Sequence, residues 1–376
     1  MDIRVVSVQE LHDKMESGQD LLVLDVRSEQ AYQDWRIKGK SLQSMNIPYF
    51  EFLEADESVS KTLPKAQEIV IVCNKGNSAR MVAEVLMQNG FHVSVLAGGM
   101  EAWSQFYHPV TVAQTEQMKL IQLNRLGKGC LSYLIVSQGQ ALVVDAGRHV
   151  EEYLQAAARE GAVITYVVDT HLHADHISGG VQLAERTGAA YLISPSEMEG
   201  SPLPYQPLEA DGTLHVGSTE VKILAVPTPG HTPGSVSVLV DQSFLLSGDT
   251  IFVGGLGRPD LGGKAQEWAQ ALYDTVFQTI ALLDDDVLVL PTHFADLAEV
   301  NEQGYVGAKL GSIRRSNEIM RTKDRAQFTE QVAGQTGATP PNYETIVSIN
   351  RGLSLVDEEK ATELETGPNR CAIHHS

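Results

Sequence analysis

The chain has 376 residues, 28 basic and 48 acidic side chains, a net charge of −20 and 43% hydrophobic residues. That length calls for two or three domains, the apolar content excludes wholesale disorder, and the acidity excludes charge-driven binding to nucleic acid. The longest apolar runs, such as Leu21–Leu24 and Ile69–Cys73, are strand-sized, so no membrane-spanning helix is expected. The opening Met1-Asp2-Ile3-Arg4 lacks the pattern of a signal peptide, and three cysteines argue against a disulfide framework. A cytoplasmic, reducing location is the expectation.

Taken in chain order, Asp20–Val26, Glu68–Cys73 and His92–Leu96 read as continuous buried strands, as in a parallel sheet covered on both faces. Ser78–Met87 places Val82, Val85 and Leu86 on one face of a helix, with Gly90 at its C-terminal cap. Strands alternating with helices predict a small α/β domain over residues 1–108, followed by a linker at 109–117. From Met118 the pattern changes to β runs separated by glycine turns: Met118–Leu123, Cys130–Val136 and Ala141–Gly147. A helix is predicted over Val150–Glu160, a strand over Ile164–Asp169 and a helix over Ile177–Thr187. A second β set follows at Leu214–Val216, Val221–Val226, Val236–Val240, Phe244–Ser247 and Val287–Leu290. Two sheet halves, each with helices, predict an α/β/β/α sandwich within residues 118–376; its C-terminal part is helical and then loop-like near Pro340-Pro341.

Cys73 closes an apolar strand and opens Cys73-Asn74-Lys75-Gly76-Asn77-Ser78 ahead of a helix. That places a sulfur at the carboxyl edge of a parallel sheet, where loop N–H groups converge on an anion and favour a thiolate or persulfide. A buried structural cysteine is the alternative. Arg80 gives a C-x6-R spacing, which does not suit a cysteine phosphatase. Residues 1–108 resemble a rhodanese (sulfurtransferase) domain through Leu24-Asp25-Val26-Arg27, Asn46-Ile47-Pro48, the Cys73 loop and Gly98-Gly99-Met100-Glu101-Ala102-Trp103. The resemblance implies that Cys73 is the persulfide-forming nucleophile and that Asn74, Lys75, Gly76, Asn77 and Ser78 cradle its outer sulfur. It departs from the family at Trp35-Arg36-Ile37-Lys38-Gly39, where a Gly-His-Ile stretch is usual.

The densest chemical signal is Thr170-His171-Leu172-His173-Ala174-Asp175-His176. His171 and His173, two apart on an extended strand exit, point to the same side. His231, Asp249 and His293 each follow a strand, where rigid elements aim side chains at a shared centre. A solvated, idle cluster is the bland alternative. Residues 118–300 resemble the metallo-β-lactamase superfamily through this H-x-H-x-D-H signature and the downstream His, Asp and His.

Two readings of the metal follow from that resemblance. In one, His171, His231 and Asp249 hold a mononuclear Fe(2+) with positions left for persulfide sulfur and O2, as in persulfide dioxygenases. His173, Asp175, His176 and His293 then orient those ligands. In the other, the same residues form a dinuclear Zn(2+) site that activates water against a thioester, as in hydroxyacylglutathione hydrolases (glyoxalase II). Gly255–Asp260 resembles a Gly-Arg-x-Asp segment of persulfide dioxygenases, which implies that Arg258 binds a substrate carboxylate; an ordinary surface arginine is the alternative. Pro340-Pro341-Asn342-Tyr343 and Gly367–Cys371 resemble dioxygenase tail segments. The chain-level match is to rhodanese–persulfide dioxygenase fusions. It implies oxidation of a low-molecular-weight thiol persulfide by O2 to sulfite and thiol, rhodanese transfer involving thiosulfate, and a homodimer. Cys130 is read as core, and Cys371 as structural or substrate-adjacent.

Overall fold

The computed structural model describes residues 2–53, 62–208, 212–224, 228–334 and 342–369. The chain divides into two compact units: the first holds the residues up to Phe106 together with Arg125–Lys128 and Thr366–Pro368, and the second the remainder from Tyr107.

The first unit is a five-stranded sheet of β1 (Arg4–Val6), β2 (Leu21–Asp25), β3 (Gln43–Asn46), β4 (Glu68–Val72) and β5 (Val93–Leu96), in the order β1-β5-β4-β2-β3. Every pairing is parallel. Successive residues serve opposite faces, as strand geometry requires. Leu22, Leu24, Ile69 and Ile71 pack with Val82 and Leu86 of the helix Asn77–Gln88. Val23, Val70 and Val72 pack with Leu11, Met100 and Trp103 on the other side. That helix ends as the sequence predicts: Gly90 takes φ +79°, and Phe91 N–H reaches back to Leu86 C=O at 3.1 Å.

Lys14 Nζ lies 2.7 and 2.6 Å from the two carboxylate oxygens of Glu68, at the start of β4. Burial raises the Glu68 pKa, but the Lys14 hydrogen bond and charge, with Ser94 and Arg4, outweigh it and hold the carboxyl below its ordinary 4.5. The pair therefore adds stability above about pH 4.5 that is lost as the pH falls through the lower, folded-state pKa. Lys14→Met should destabilise this unit by about 1 kcal/mol at pH 7 and by much less in acid. Urea unfolding at both pH values checks this; an equal loss at the two would refute it.

The second unit contains two sheets. One runs β6 (Tyr107–Gln114), β7 (Lys119–Arg125), β8 (Cys130–Ser137), β9 (Gln140–Val144), β10 (Val163–Val168), β11 (Ala190–Ile193) and β12 (Gln206–Pro207), neighbours in that order. The β8–β9 hairpin turns on Gln138 and Gly139, both at positive φ, the geometry that matches strand twist. The other sheet runs β13 (Thr213–Val216), β14 (Thr219–Leu224), β15 (Ser237–Val240), β16 (Phe244–Gly248), β17 (Leu288–Pro291) and β18 (Ala308–Lys309).

Leu134, Val136, Ala141 and Val143 of the first sheet pack outward against Val150 and Tyr153 of the helix Val150–Arg159 and Leu183 of the helix Gly180–Thr187. The other face meets the second sheet, where Gln122 Nε2 donates to Val306 C=O at 2.8 Å and Tyr133 Oη donates to Pro291 C=O. The second sheet's outer face packs against helices that include Leu272, Phe328 and Val332. The predicted α/β/β/α sandwich is thus the observed one. No helix among the described residues is long and apolar enough to cross a membrane.

Two expectations shift. Residues 107–114, assigned in part to a linker at 109–117, form β6 at the sheet edge. The helix expected from Ile177 begins at Gly180, because Ser178 is held in a β-bridge with Gly147 and Gly179 N–H donates to Ala146 C=O at 2.7 Å. Val226, Pro340, Pro341, Arg370 and Cys371 lie outside the described residues.

Candidate active sites

Cys73 is buried directly after β4, at the carboxyl edge of the parallel sheet where ligand crevices form. The loop Asn74–Gly76 then leads into the helix that starts Asn77-Ser78, and Gly76, at φ +99°, donates its N–H to Cys73 Sγ at 3.1 Å. No side chain caps that helix, which leaves first-turn N–H groups for an anion in the loop. Met100 N–H and Glu101 N–H donate to Cys73 C=O and Asn74 C=O at 2.9 and 3.1 Å. Gly99 permits this approach, since a Cβ there would lie 2.1 Å from Cys73 C=O. Lys75 is exposed, with Nζ 3.4 Å from Glu101 Oε2. Asp25 and Arg27 pair through three side-chain contacts, and Asn46 Nδ2 bonds both of their backbone carbonyls. These family-like residues shape the strand ends around the loop.

In the second unit, His171, His231 and Asp249 come together, each completely or nearly buried. The hydrogen-bond directions define their tautomers. Thr170 Oγ1 donates to the Asp145 carboxylate at 3.0 Å, so it accepts from His171 Nδ1–H at 3.0 Å. His231 Nδ1 lies 3.0 Å from Arg258 C=O, which can only accept. In each neutral ring the lone pair is then on Nε2, and the two Nε2 atoms face Asp249 Oδ2 at 3.8 and 3.4 Å. Among the described residues that oxygen accepts no hydrogen bond. Two lone pairs and one anionic oxygen, buried together without a proton between them, fit a cation. Burial, with the neighbouring histidines, holds His171 well below its ordinary pKa, in the neutral form a ligand needs.

The remaining signature residues form an adjoining group. Asp175 accepts from Cys130 Sγ at 3.2 Å and lies 3.0 Å from His176 Nδ1 and 2.9 Å from His293 Nε2. His293 Nδ1 lies 2.6 Å from Asp249 Oδ1, joining the two groups. Burial would lower the His176 pKa, but the Asp175 charge and hydrogen bond, with Cys130, push it up to about 10. His293 is likewise raised against burial by Asp175 and Asp249. His173 is turned differently: its Nε2 is 3.1 Å from Asp145 Oδ1, and its Nδ1 is without a hydrogen-bond partner among the described residues. Arg258 is buried rather than on the surface, and its guanidinium holds Asp260 through contacts of 2.8 and 2.6 Å.

Three contributors were not legible as site residues. Cys130, expected in the core, is buried but belongs to the Asp175 group. Asp145 holds both Thr170 and His173; its place directly after the apolar run of β9 was the only sequence signal. Glu197, almost wholly buried, accepts from Leu172 N–H at 3.0 Å and Gly234 N–H at 2.6 Å, tying the His171 loop to the His231 loop. Glu197→Ala would leave both N–H groups unpaired, at a cost of about 2–4 kcal/mol. A correspondingly lower thermal midpoint and reduced metal retention are expected; a variant with wild-type values for both would show that the tie does not matter.

Fold and site together define a two-unit chain: an α/β unit with a cysteine loop, and a four-layer sandwich with a histidine–aspartate metal centre. A rhodanese-like domain model matches residues 7–106, and the metallo-beta-lactamase superfamily model matches residues 126–293. The chain belongs to the metallo-β-lactamase superfamily and carries an N-terminal rhodanese-like domain. The hydroxyacylglutathione hydrolase of Xanthomonas euvesicatoria pv. vesicatoria is 33% identical over 181 residues, 48% of this chain and 67% of that protein. The mitochondrial persulfide dioxygenase ETHE1 of Mus musculus is 37% identical over 141 residues, 35% of this chain and 50% of that protein. The crystal structure of ETHE1 from Myxococcus xanthus superposes with a TM-score of 0.54 at 29% identity, covering 62% of this chain and 97% of that one.

Proposed function

We propose that the chain is a non-haem iron persulfide dioxygenase coupled to sulfur transfer at Cys73. The observation that carries the reading is the convergence of His171 Nε2, His231 Nε2 and the unpaired Asp249 Oδ2, on a chain that also builds a sulfur loop around Cys73. A single ferrous ion held by those three residues would activate O2 beside a persulfide sulfur, a chemistry suited to two histidines and one carboxylate. Thr170 and the Arg258 carbonyl keep the ligand tautomers, while His293 and Asp175 orient Asp249. Arg258 is proposed as the cation that meets an anionic substrate, sharing its guanidinium with Asp260.

The overall reaction is R-S-SH + O2 + H2O giving R-SH, sulfite and two protons. At the other site the Cys73 thiolate attacks the outer sulfur of thiosulfate; the S–S bond breaks, sulfite leaves with its electron pair, and Cys73 becomes a persulfide. The same step in reverse consumes sulfite. Sulfane sulfur and sulfite are thus common to both sites, whereas a thioester hydrolase shares no intermediate with a rhodanese. The free thiols of Cys73 and Cys130 suit a reducing, cytoplasmic setting.

A dinuclear zinc thioester hydrolase is the second reading. It is favoured by the unpartnered His173 Nδ1 and by the compact Cys130, Asp175, His176 and His293 group. Elemental analysis of anaerobically purified protein separates the two. One iron per chain is expected, and two zinc ions per chain would support the hydrolase.

A further inference from the structure

The loop that carries His171, His173, Asp175 and His176 lies between β10 and the helix Gly180–Thr187, so most of its backbone groups have no ladder or helix to pair with. It is also buried, and buried N–H and C=O groups need partners. Besides Glu197, two side chains from much later in the chain provide several of them.

Asn350, the last residue of the helix Tyr343–Asn350, donates Nδ2 to His173 C=O at 2.8 Å and to His176 C=O at 2.9 Å. Its Oδ1 accepts from Ser178 N–H at 2.9 Å. Glu365, at the end of the helix Glu358–Glu365, accepts from Ile177 N–H at 2.7 Å through Oε1. Its other oxygen is held by Arg148 Nε at 2.6 Å. Glu365 is 1% exposed and Asn350 8% exposed.

We infer that Asn350 and Glu365 are positioning residues for the metal centre, a clasp from the C-terminal helices that sets the backbone on both sides of Asp175 and His176. The carbonyls of His173 and His176 belong to the 173–174 and 176–177 peptides, so one amide group pins the two ends of the short segment that carries Asp175 and His176. Glu365 holds the N–H of that same 176–177 peptide, Asn350 Oδ1 holds the next, and Arg148 keeps the buried carboxylate from turning. Packing would not require this arrangement. Ile346 and Val347 of the same helix already supply apolar contact, whereas the polar ends of Asn350 and Glu365 are spent on the backbone of this one loop. The inference rests on a metal being held at His171, His231 and Asp249, but not on its being iron.

The test uses the full chain stripped of metal, with Co2+ as the probe and amide hydrogen exchange as a second readout that needs no metal. Asn350→Ala should weaken Co2+ binding by roughly 10–100-fold, the range for groups that orient ligands, and alter the visible Co2+ spectrum. It should also speed exchange at Ser178. Glu365→Ala should do the same at Ile177, and Glu365→Gln, which keeps the acceptor, should largely restore protection. A wild-type far-UV circular dichroism spectrum and a cooperative thermal transition of the second unit report that each variant is folded; if Asn350→Ala is not, the Glu365→Ala and Glu365→Gln pair decides. Folded variants with wild-type Co2+ affinity and spectrum would overturn the positioning role. If the wild-type chain binds no Co2+, the metal reading itself fails, and the exchange data decide the clasp: unchanged exchange at Ile177 and Ser178 overturns it, faster exchange upholds it.

Discussion

Asp249→Ala is expected to yield a folded chain that retains no stoichiometric metal and whose persulfide-dependent O2 uptake falls by well over the roughly 100-fold seen when a mere orienting group is lost. Asp249 supplies the one anionic oxygen facing His171 Nε2 and His231 Nε2, and that oxygen has no other partner among the described residues. Without it, two neutral imidazoles remain, a set that cannot neutralise a divalent ion in a buried site. His293 also loses one of the two carboxylates that raise its pKa. Asp249→Asn keeps the shape and removes the charge, so it should retain metal weakly at best. Full metal content in either variant would show that the ion is held elsewhere.

Cys73→Ser gives the second large effect, in the other unit. Sulfur transfer from thiosulfate to cyanide should fall to the uncatalysed background, because an alcohol cannot carry the persulfide that the Gly76 N–H and the helix N-terminus are placed to receive. O2 uptake with a supplied persulfide should be unchanged, since none of the groups around His171, His231 and Asp249 belongs to the Cys73 loop. Loss of both activities together would mean that the two sites are obligately coupled.

Most of the fold was legible because strong local patterns agreed with the final packing. The runs at β2, β4 and β5 are apolar without alternation because both faces of that sheet are covered. The segment 107–114 did not announce itself as a strand, since it contains Pro109 and several polar residues. Its place at the sheet edge explains why both are tolerated. The start of the helix at Gly180 was misplaced for a different reason: Ile177 and Ser178 carry helix-compatible side chains, but Ser178 is bridged to Gly147, a partner distant in the sequence.

The site divides in the same way. His171, His173, Asp175 and His176 stand within six positions, and His231, Asp249 and His293 each follow a strand, so the sequence shows them as one set. Asp145, Glu197, Asn350 and Glu365 are single polar residues spread over more than two hundred positions, with no spacing to link them. What makes them part of the site is tertiary proximity, which only folding creates. Cys130 illustrates the same limit, because burial was foreseeable and its hydrogen bond to Asp175 was not.

If persulfide is oxidised at the histidine–aspartate centre, the chain consumes O2 only when a persulfide is supplied. The full chain, prepared anaerobically, should be given a low-molecular-weight thiol persulfide in an oxygen electrode while sulfite is measured. Persulfide-dependent O2 uptake is expected, with one sulfite formed per O2 consumed and no appreciable hydrolysis of a glutathione thioester. Rapid thioester hydrolysis with no persulfide-dependent O2 uptake would contradict it.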